Sequence, residues 1–504
     1  MDLTIEKQPI GMKQEFKTEL QEYAIDNESV LPDYSADMSR ILKCQCRPQI
    51  KTKQILSDKL QIEGTIYVWV LYVDEKGEIG VYTQTLPLYH ELSIPEKTKF
   101  ADVYAKTDYC NCHMISPRKM EFHGAVSLKI VLSRWQEVSV VCSVSGEGAQ
   151  TLDGEEPFTS LLTIHEQTLS VNDEIQITSG GIRNILRSEA TVLHAEYKGV
   201  GGKAIIKADL QITALYQNTD GKIETLREQL PITQMIDLNH ADDLTDCFAS
   251  FRVISLELRP RTGLDGECKT VMVAAEVGVY VKAEKTFSTP VVLDAYSLYH
   301  GVELRRLEEP ISRLVQTIDQ TTMCKGTCEL GRDVQRIVDL WCEPLTHRTE
   351  WDGTQLTVNG QLQVMIVAND VEGAYFYGEK TMEYTFSQPI SGVKGNVVAE
   401  PLVSICNSSF VLVDSSTAEV RVELQVSAQA YDLTTPYVLC DLVPDPSAEV
   451  PKPLAPLVLY FATQGERLFD IAKRYNTTCT AIAAANDMKE QVLTEAKALL
   501  IPAV

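Results

Sequence analysis

Residues 59–82 read KLQIEGTIYVWVLYVDEKGEIGVY: an apolar strand, a polar turn with glycine, and a second strand. The pattern recurs at 203–226 as KAIIKADLQITALYQNTDGKIETL and at 355–378 as QLTVNGQLQVMIVANDVEGAYFYG. The turn glycines are Gly77, Gly221 and Gly373, spaced by 144 and 152 residues. An upstream landmark keeps those offsets: SRILKCQ, RNILRSE and QRIVDLW align Ile41, Ile185 and Ile337. A downstream strand recurs as KMEFHGAVSLKIVL, TVMVAAEVGVYVKA and TAEVRVELQVSAQA, aligning Val126, Val277 and Leu424 at offsets of 151 and 147. Units of this length exceed a solenoid repeat and are large enough to hold their own cores.

The period inside each unit is two. In Leu356-Thr-Val358-Asn-Gly-Gln-Leu362-Gln-Val364 one face is apolar and the other polar, as in a half-buried antiparallel strand. Glu75-Lys-Gly77 and Thr219-Asp-Gly221 supply the positive-φ residue of a tight hairpin. The expected fold class is mostly β: three tandem antiparallel sandwich- or barrel-like repeat domains at 31–150, 160–300 and 310–441, behind an N-terminal segment, 1–30. A short helix or turn is expected near Asp37–Leu42, Gly181–Leu186 and Arg332–Val338.

After the third repeat, residues 442–456 hold five prolines and read as an extended linker. Beyond it the class changes. Val458–Ala462 is strand-like, Leu468, Ile471, Ala472 and Tyr475 have helical spacing, Cys479–Asn486 is alanine-rich behind a cap at Thr478 or Thr480, and Leu499–Pro502 closes as a strand. The order is βααβ within residues 457–504.

Composition narrows the function classes. Lys+Arg number 46 and Asp+Glu 70, a net charge of −24, with no run of five basic residues. Such a polyanion is a poor partner for nucleic acid or an anionic membrane surface. The N-terminus lacks the basic start and apolar stretch of a secretory signal, and no run of 18 apolar residues occurs. The expected address is therefore cytoplasmic. His-Glu-x-x-His, Gly-x-Ser-x-Gly and P-loop motifs are absent, so no catalytic set and no cofactor is nominated. The metal candidates are Cys44-Gln-Cys46 and Cys110-Asn-Cys112, since strand alternation puts i and i+2 on one face; small buried cysteines are the plainer alternative.

The tail resembles the LysM domain in Gly465, Leu468, Ile471-Ala472-Lys-Arg-Tyr475, Asn486 and Leu499-Leu-Ile501-Pro502. Glu466-Arg467 replaces the family's Asp-Thr, Asp487 its proline and Ala496 its glycine, in the loops that hold N-acetylglucosamine in sugar-binding members. The resemblance implies a binding groove between Gln464, Gly465, Glu466, Arg467 and Leu468 on one loop and Ala485, Asn486, Asp487 and Met488 on the other. The tail carries five acids and five bases, so a neutral module is joined to an acidic body. The three repeats resemble the SPOCS domain, with Leu31-Pro-Asp-Tyr-Ser-Ala-Asp-Met-Ser-Arg-Ile-Leu42 as its opening motif. Three such domains followed by one LysM is the layout of the SipL-type spore coat morphogenetic proteins of Clostridia. That resemblance implies a non-enzymatic scaffold on the forespore surface, facing the mother-cell cytosol, whose LysM docks onto the coat ATPase SpoIVA. The alternative is a LysM-mediated binder of peptidoglycan. Free sheet edges in the repeats also allow self-association.

Overall fold

The computed structural model describes residues 3–177, 180–238, 242, 245–263, 268–445, 450 and 455–503. The first repeat consists of β1 (Thr4–Val30), β2 (Met38–Leu56), β3 (Lys59–Asp74), β4 (Ile79–Ser93), β5 (Phe100–Ser116) and β6 (Lys119–Ser145). They form two antiparallel sheets, β2-β3-β4 and β1-β6-β5, packed face to face. The second repeat uses β7 (Ala149–Gln176), β8 (Ile182–Val200), β9 (Lys203–Asn218), β10 (Ile223–Asp237), β11 (Asp246–Arg261) and β12 (Thr270–Ser297), with sheets β10-β9-β8 and β11-β12-β7. After β13 (Gly301–Arg306), the third repeat follows as β14 (Ile311–Glu329), β15 (Val334–Trp351), β16 (Gln355–Asp370), β17 (Tyr375–Pro389), β18 (Asn396–Ala399), β19 (Leu402–Leu412) and β20 (Thr417–Thr434), then β21 (Leu439–Asp445). Here β14 and the β18/β19 pair flank β20.

The three units match strand for strand. β3, β9 and β16 are each 16 residues long and begin at the offsets read from the sequence. Tyr67, Gln211 and Gln363 occupy one register position, facing Thr85, Gln229 and Thr381. The hairpin turn is repeated too. Gly77, Gly221 and Gly373 have φ of 83°, 81° and 84°. Three residues earlier, Asp74, Asn218 and Asp370 accept hydrogen bonds on their side-chain oxygen from two turn N–H groups each. A Cβ at Gly373 would meet nothing within 4 Å, so the constraint is backbone conformation alone. Gly373→Val should therefore cost about 1–2 kcal/mol, read as a lower urea midpoint, through strain in the left-handed region.

Two expectations change. Residues 4–30, set apart above as an N-terminal segment, form β1 and pair along their length with β6. The expected helices or turns near residues 37–42, 181–186 and 332–338 are the starts of β2, β8 and β15. Each carries two register shifts at equivalent places: Met38/Arg40 and Ile41/Lys43, Ile182/Asn184 and Ile185/Arg187, Val334/Arg336 and Ile337/Asp339. Two bulges close together break the period-2 pattern, so the stretch does not read as a strand.

The repeats close on one another as a pseudo-threefold ring. Along β3, Ile66, Val68, Val70 and Tyr72 fill the first sandwich. The alternate residues Trp69 and Leu71 enter a shared core with Leu186, Leu215, Val338, Met365 and Val367. A strand buried on both faces reads as a continuous apolar run, as Ile66–Val73 does. Leu71, Leu215 and Val367 are repeat equivalents, as are Ile79, Ile223 and Tyr375. The contacts run head to tail. Arg40 of repeat one donates to the Tyr375 carbonyl of repeat three, Arg336 of repeat three donates to the Ile223 carbonyl of repeat two at 3.1 Å, and Arg183 of repeat two reaches Glu78 of repeat one at 3.7 Å. At the other end of the body, the β1/β6 and β7/β12 ribbons and the β13/β21 pair converge. Their cores hold Val140, Val291 and Val438, and beside them Val141, Val292 and Leu439, again at offsets of 151 and 147.

Of the expected linker, residues 442–445 belong to β21, while 446–449 and 451–454 lie outside the described residues. The tail then forms β22 (Leu457–Ala462), α1 (Leu468–Arg474), α2 (Cys479–Ala485) and β23 (Lys497–Pro502), with β22 and β23 antiparallel.

Candidate functional site

The βααβ unit is built around Leu468, Phe469, Ile471 and Ala472 of α1, Ile482 of α2, and Leu499 and Ile501 of β23, all buried. Asn476 turns the chain between the helices at φ 49°. Thr478 caps α2, its hydroxyl accepting from the Ala481 N–H at 3.0 Å.

The two candidate loops have different roles. In the first, Gly465 sits at φ 88° and its N–H donates to the Leu493 carbonyl, while Leu468 N–H donates to Gln491 and Leu493 N–H returns to Glu466. The loop is thus stitched to residues 491–493. The Glu466 carboxylate accepts from the Thr463 N–H at 2.7 Å and the Tyr460 hydroxyl at 2.8 Å, which holds it below the usual carboxylate range. Arg467 is exposed and makes a two-pronged ion pair with Asp470 at 2.8 and 3.2 Å. Gln464 is exposed and Leu468 is wholly buried, so Leu468 packs the core. In the second loop Ala485 and Asp487 are exposed and Met488 is half-buried against the core. Asn486 is a fastener: its amide donates to the Ile482 and Leu500 carbonyls, and its Oδ1 accepts from the Leu500 N–H at 2.8 Å.

A feature that the sequence reading missed lies on the other side of the small sheet. Both helices pack on one face of β22 and β23. The opposite face presents Leu457, Leu459 and Phe461, which is 74% exposed, beside Leu500. The signal was legible: Val458-Leu-Tyr-Phe-Ala462 is apolar at both parities, yet two helices cover only one face. An exposed aromatic and aliphatic stripe of this kind marks an interaction surface.

The unit is not held away from the body. The Tyr296 hydroxyl at the end of β12 donates to the Thr477 carbonyl at 2.6 Å, and its ring meets Phe469 edge-on at 5.3 Å. The Asn476 amide donates to the Leu298 carbonyl, and Lys473 pairs with Asp294 at 2.7 Å. The turn between the helices is therefore seated on repeat two, which leaves the outer face of β22/β23 uncovered.

The candidate cysteines come together across the first sandwich, β2 facing β5. Cys46 and Cys110 are joined in a disulfide, which removes two of the four sulfurs from thiolate coordination. Among the described residues no group of three or more His, Cys, Asp or Glu side chains is placed to hold a metal ion, and no helix is long and apolar enough to cross a membrane. His90 meets the Tyr23 hydroxyl at 2.5 Å, and His123 lies between two carboxylates, Asp26 at 2.9 Å and Glu121 at 3.3 Å.

Comparison with known families finds two matches. The SipL, SPOCS domain family matches residues 37–115 and 181–260, the central parts of repeats one and two. The LysM domain family matches residues 462–502. Repeat three lies outside both matches, although its strands follow the same plan. No curated protein and no solved structure matches the chain.

Proposed function

From the SPOCS domains in repeats one and two and the LysM domain at residues 462–502, both of them binding domains, we propose that the chain is a non-enzymatic spore coat morphogenetic scaffold. In this reading it sits at the forespore surface on the mother-cell side. Its LysM binds the coat ATPase SpoIVA, and the ring of repeats positions that contact among other coat proteins. The observation that carries the reading is the union of the two domain types in one chain. The apolar stripe Leu457, Leu459, Phe461 and Leu500 supports a protein partner, with the exposed Gln464, Arg467 and Asp487 of the two loops as the polar contacts of this reading.

Pull-down of the full chain against SpoIVA and against peptidoglycan tests it. Retention by SpoIVA is expected, and retention by peptidoglycan alone would reverse the reading. Phe461→Asp should weaken retention at least tenfold, the order of an aromatic anchor worth about 2 kcal/mol, with the LysM still folded because the side chain is outside the core. Arg467→Glu should weaken it less. It removes the pair with Asp470 and sets two acids three residues apart on an exposed helix start, a change of a few tenths of a kcal/mol in stability. Normal binding by both variants would move the interface elsewhere.

A further inference from the structure

Repeat one differs from its two siblings at one partly buried place between its sheets. Cys44 and Cys46 on β2 face Cys110 and Cys112 on β5. Cys46 and Cys110 are bonded, and Cys44 Sγ lies 3.4 Å from Cys110 Sγ, with Cys112 two residues along the same face of β5. The same register positions hold Ser188, Ala190, Leu256 and Leu258 in repeat two. In repeat three they hold Leu340, Cys342, Ser408 and Phe410. The sandwich therefore closes with ordinary side chains here, and four sulfurs within reach of one another are not a requirement of the fold. Four thiols crowded together have a chemistry that a single buried cysteine lacks, because each has a resolving partner beside it.

We propose that Cys44, Cys46, Cys110 and Cys112 form a four-thiol redox site that closes into two cross-sheet disulfides, Cys46–Cys110 and Cys44–Cys112. The two bonds run side by side because β2 and β5 present their cysteines in opposite order. The oxidant for the second bond is a peroxide. The sulfur of Cys112, the half-buried member of its pair, attacks one peroxide oxygen. The O–O bond breaks, one water leaves, and Cys112 becomes a sulfenic acid. The sulfur of Cys44 then attacks that of Cys112, the S–O bond breaks, and the second water leaves. Two thiols and one hydrogen peroxide give one disulfide and two waters. The two neighbouring thiols favour this order: Cys44 holds the Cys112 thiol below its usual range, while Cys112 and burial push the Cys44 thiol above it. The closed site ties β2 of one sheet to β5 of the other with two rungs.

The test uses the full chain. It is incubated with dithiothreitol or with hydrogen peroxide, unfolded in urea with N-ethylmaleimide, and digested with trypsin without reduction. Cys44 and Cys46 share the peptide 44–51, and Cys110 and Cys112 share 107–118. After peroxide the two peptides should travel as one species four hydrogens lighter than their combined mass, with no alkyl group. After dithiothreitol they should separate, each carrying two. The oxidised chain should also show its first unfolding transition several degrees higher. In Cys112→Ser the joined species should persist with one alkyl group on Cys44. In Cys46→Ser the peptides should still be joined after peroxide, through Cys44 and Cys112, with one alkyl group on Cys110. A joined species that keeps two alkyl groups after peroxide would overturn the second bond. Separate peptides, each with an internal bond or fully alkylated, would overturn the site. One equivalent of zinc per chain that blocks peroxide oxidation would replace it with a metal centre.

Discussion

Replacing Ile471 with aspartate is expected to unfold the LysM domain and abolish partner binding while the three repeats stay folded. Ile471 is wholly buried among Leu468, Phe469, Ile482, Leu499 and Ile501. A carboxylate there loses the apolar contacts and has no partner, a combination that costs more than about 4–5 kcal/mol. A unit of fewer than 50 residues has no such reserve. Scanning calorimetry should lose the transition of this unit, and limited proteolysis should cut beyond Pro456 first. Ile471→Val should cost only about 0.5–1.5 kcal/mol and keep binding. A folded, binding-competent aspartate variant would show that α1 is not packed as described.

The second large effect is expected at the centre of the ring. Arg187 of repeat two and Asp339 of repeat three form a two-pronged pair at 2.8 and 3.2 Å, each side chain only 5% exposed. Glu189 adds a contact at 2.9 Å, and the guanidinium lies 4.9 Å from the Trp341 ring. Asp339→Ala should destabilise the body by about 3–5 kcal/mol, because it leaves a buried cation without its principal partner. The pair itself contributes far less than that. Arg187→Met with Asp339→Leu should recover most of the loss, since an apolar pair of similar volume avoids desolvating two charges. Urea denaturation of the three chains measures this. A mild Asp339→Ala and a harsh double variant would reverse the interpretation.

What the sequence made legible was whatever repeats and alternates. Three copies of one glycine turn, strands of matching length and a βααβ tail were all visible as spacing. β1 was missed because it is an edge strand paired only with β6 and studded with charges, so its apolar face is sparse. The starts of β2, β8 and β15 were missed because paired bulges interrupt the period. Ring closure was present in the sequence as apolar runs such as Ile66–Val73, but which face met which neighbour was not. The seat of the LysM domain was invisible for a different reason: Tyr296 and Thr477 are 181 residues apart, and a single tyrosine leaves no pattern. At the candidate site, the two loops were named from the LysM resemblance, and strand alternation put the two cysteines of each pair on one face. It did not show that Asn486 is a fastener, or that Cys46 meets Cys110.

The head-to-tail ring has a consequence for stoichiometry. Its three interfaces are heterologous, and the circle is complete within one chain. An assembly of three separate subunits with this geometry would fall apart on dilution and would display three LysM domains. Here the links are covalent, so closure is independent of concentration, and the faces that would otherwise recruit further copies are already occupied. The LysM unit at residues 462–502 is then presented once per body. Under the proposed function, any lattice built from this protein would take its valency from surfaces outside the circle or from the partner of that unit.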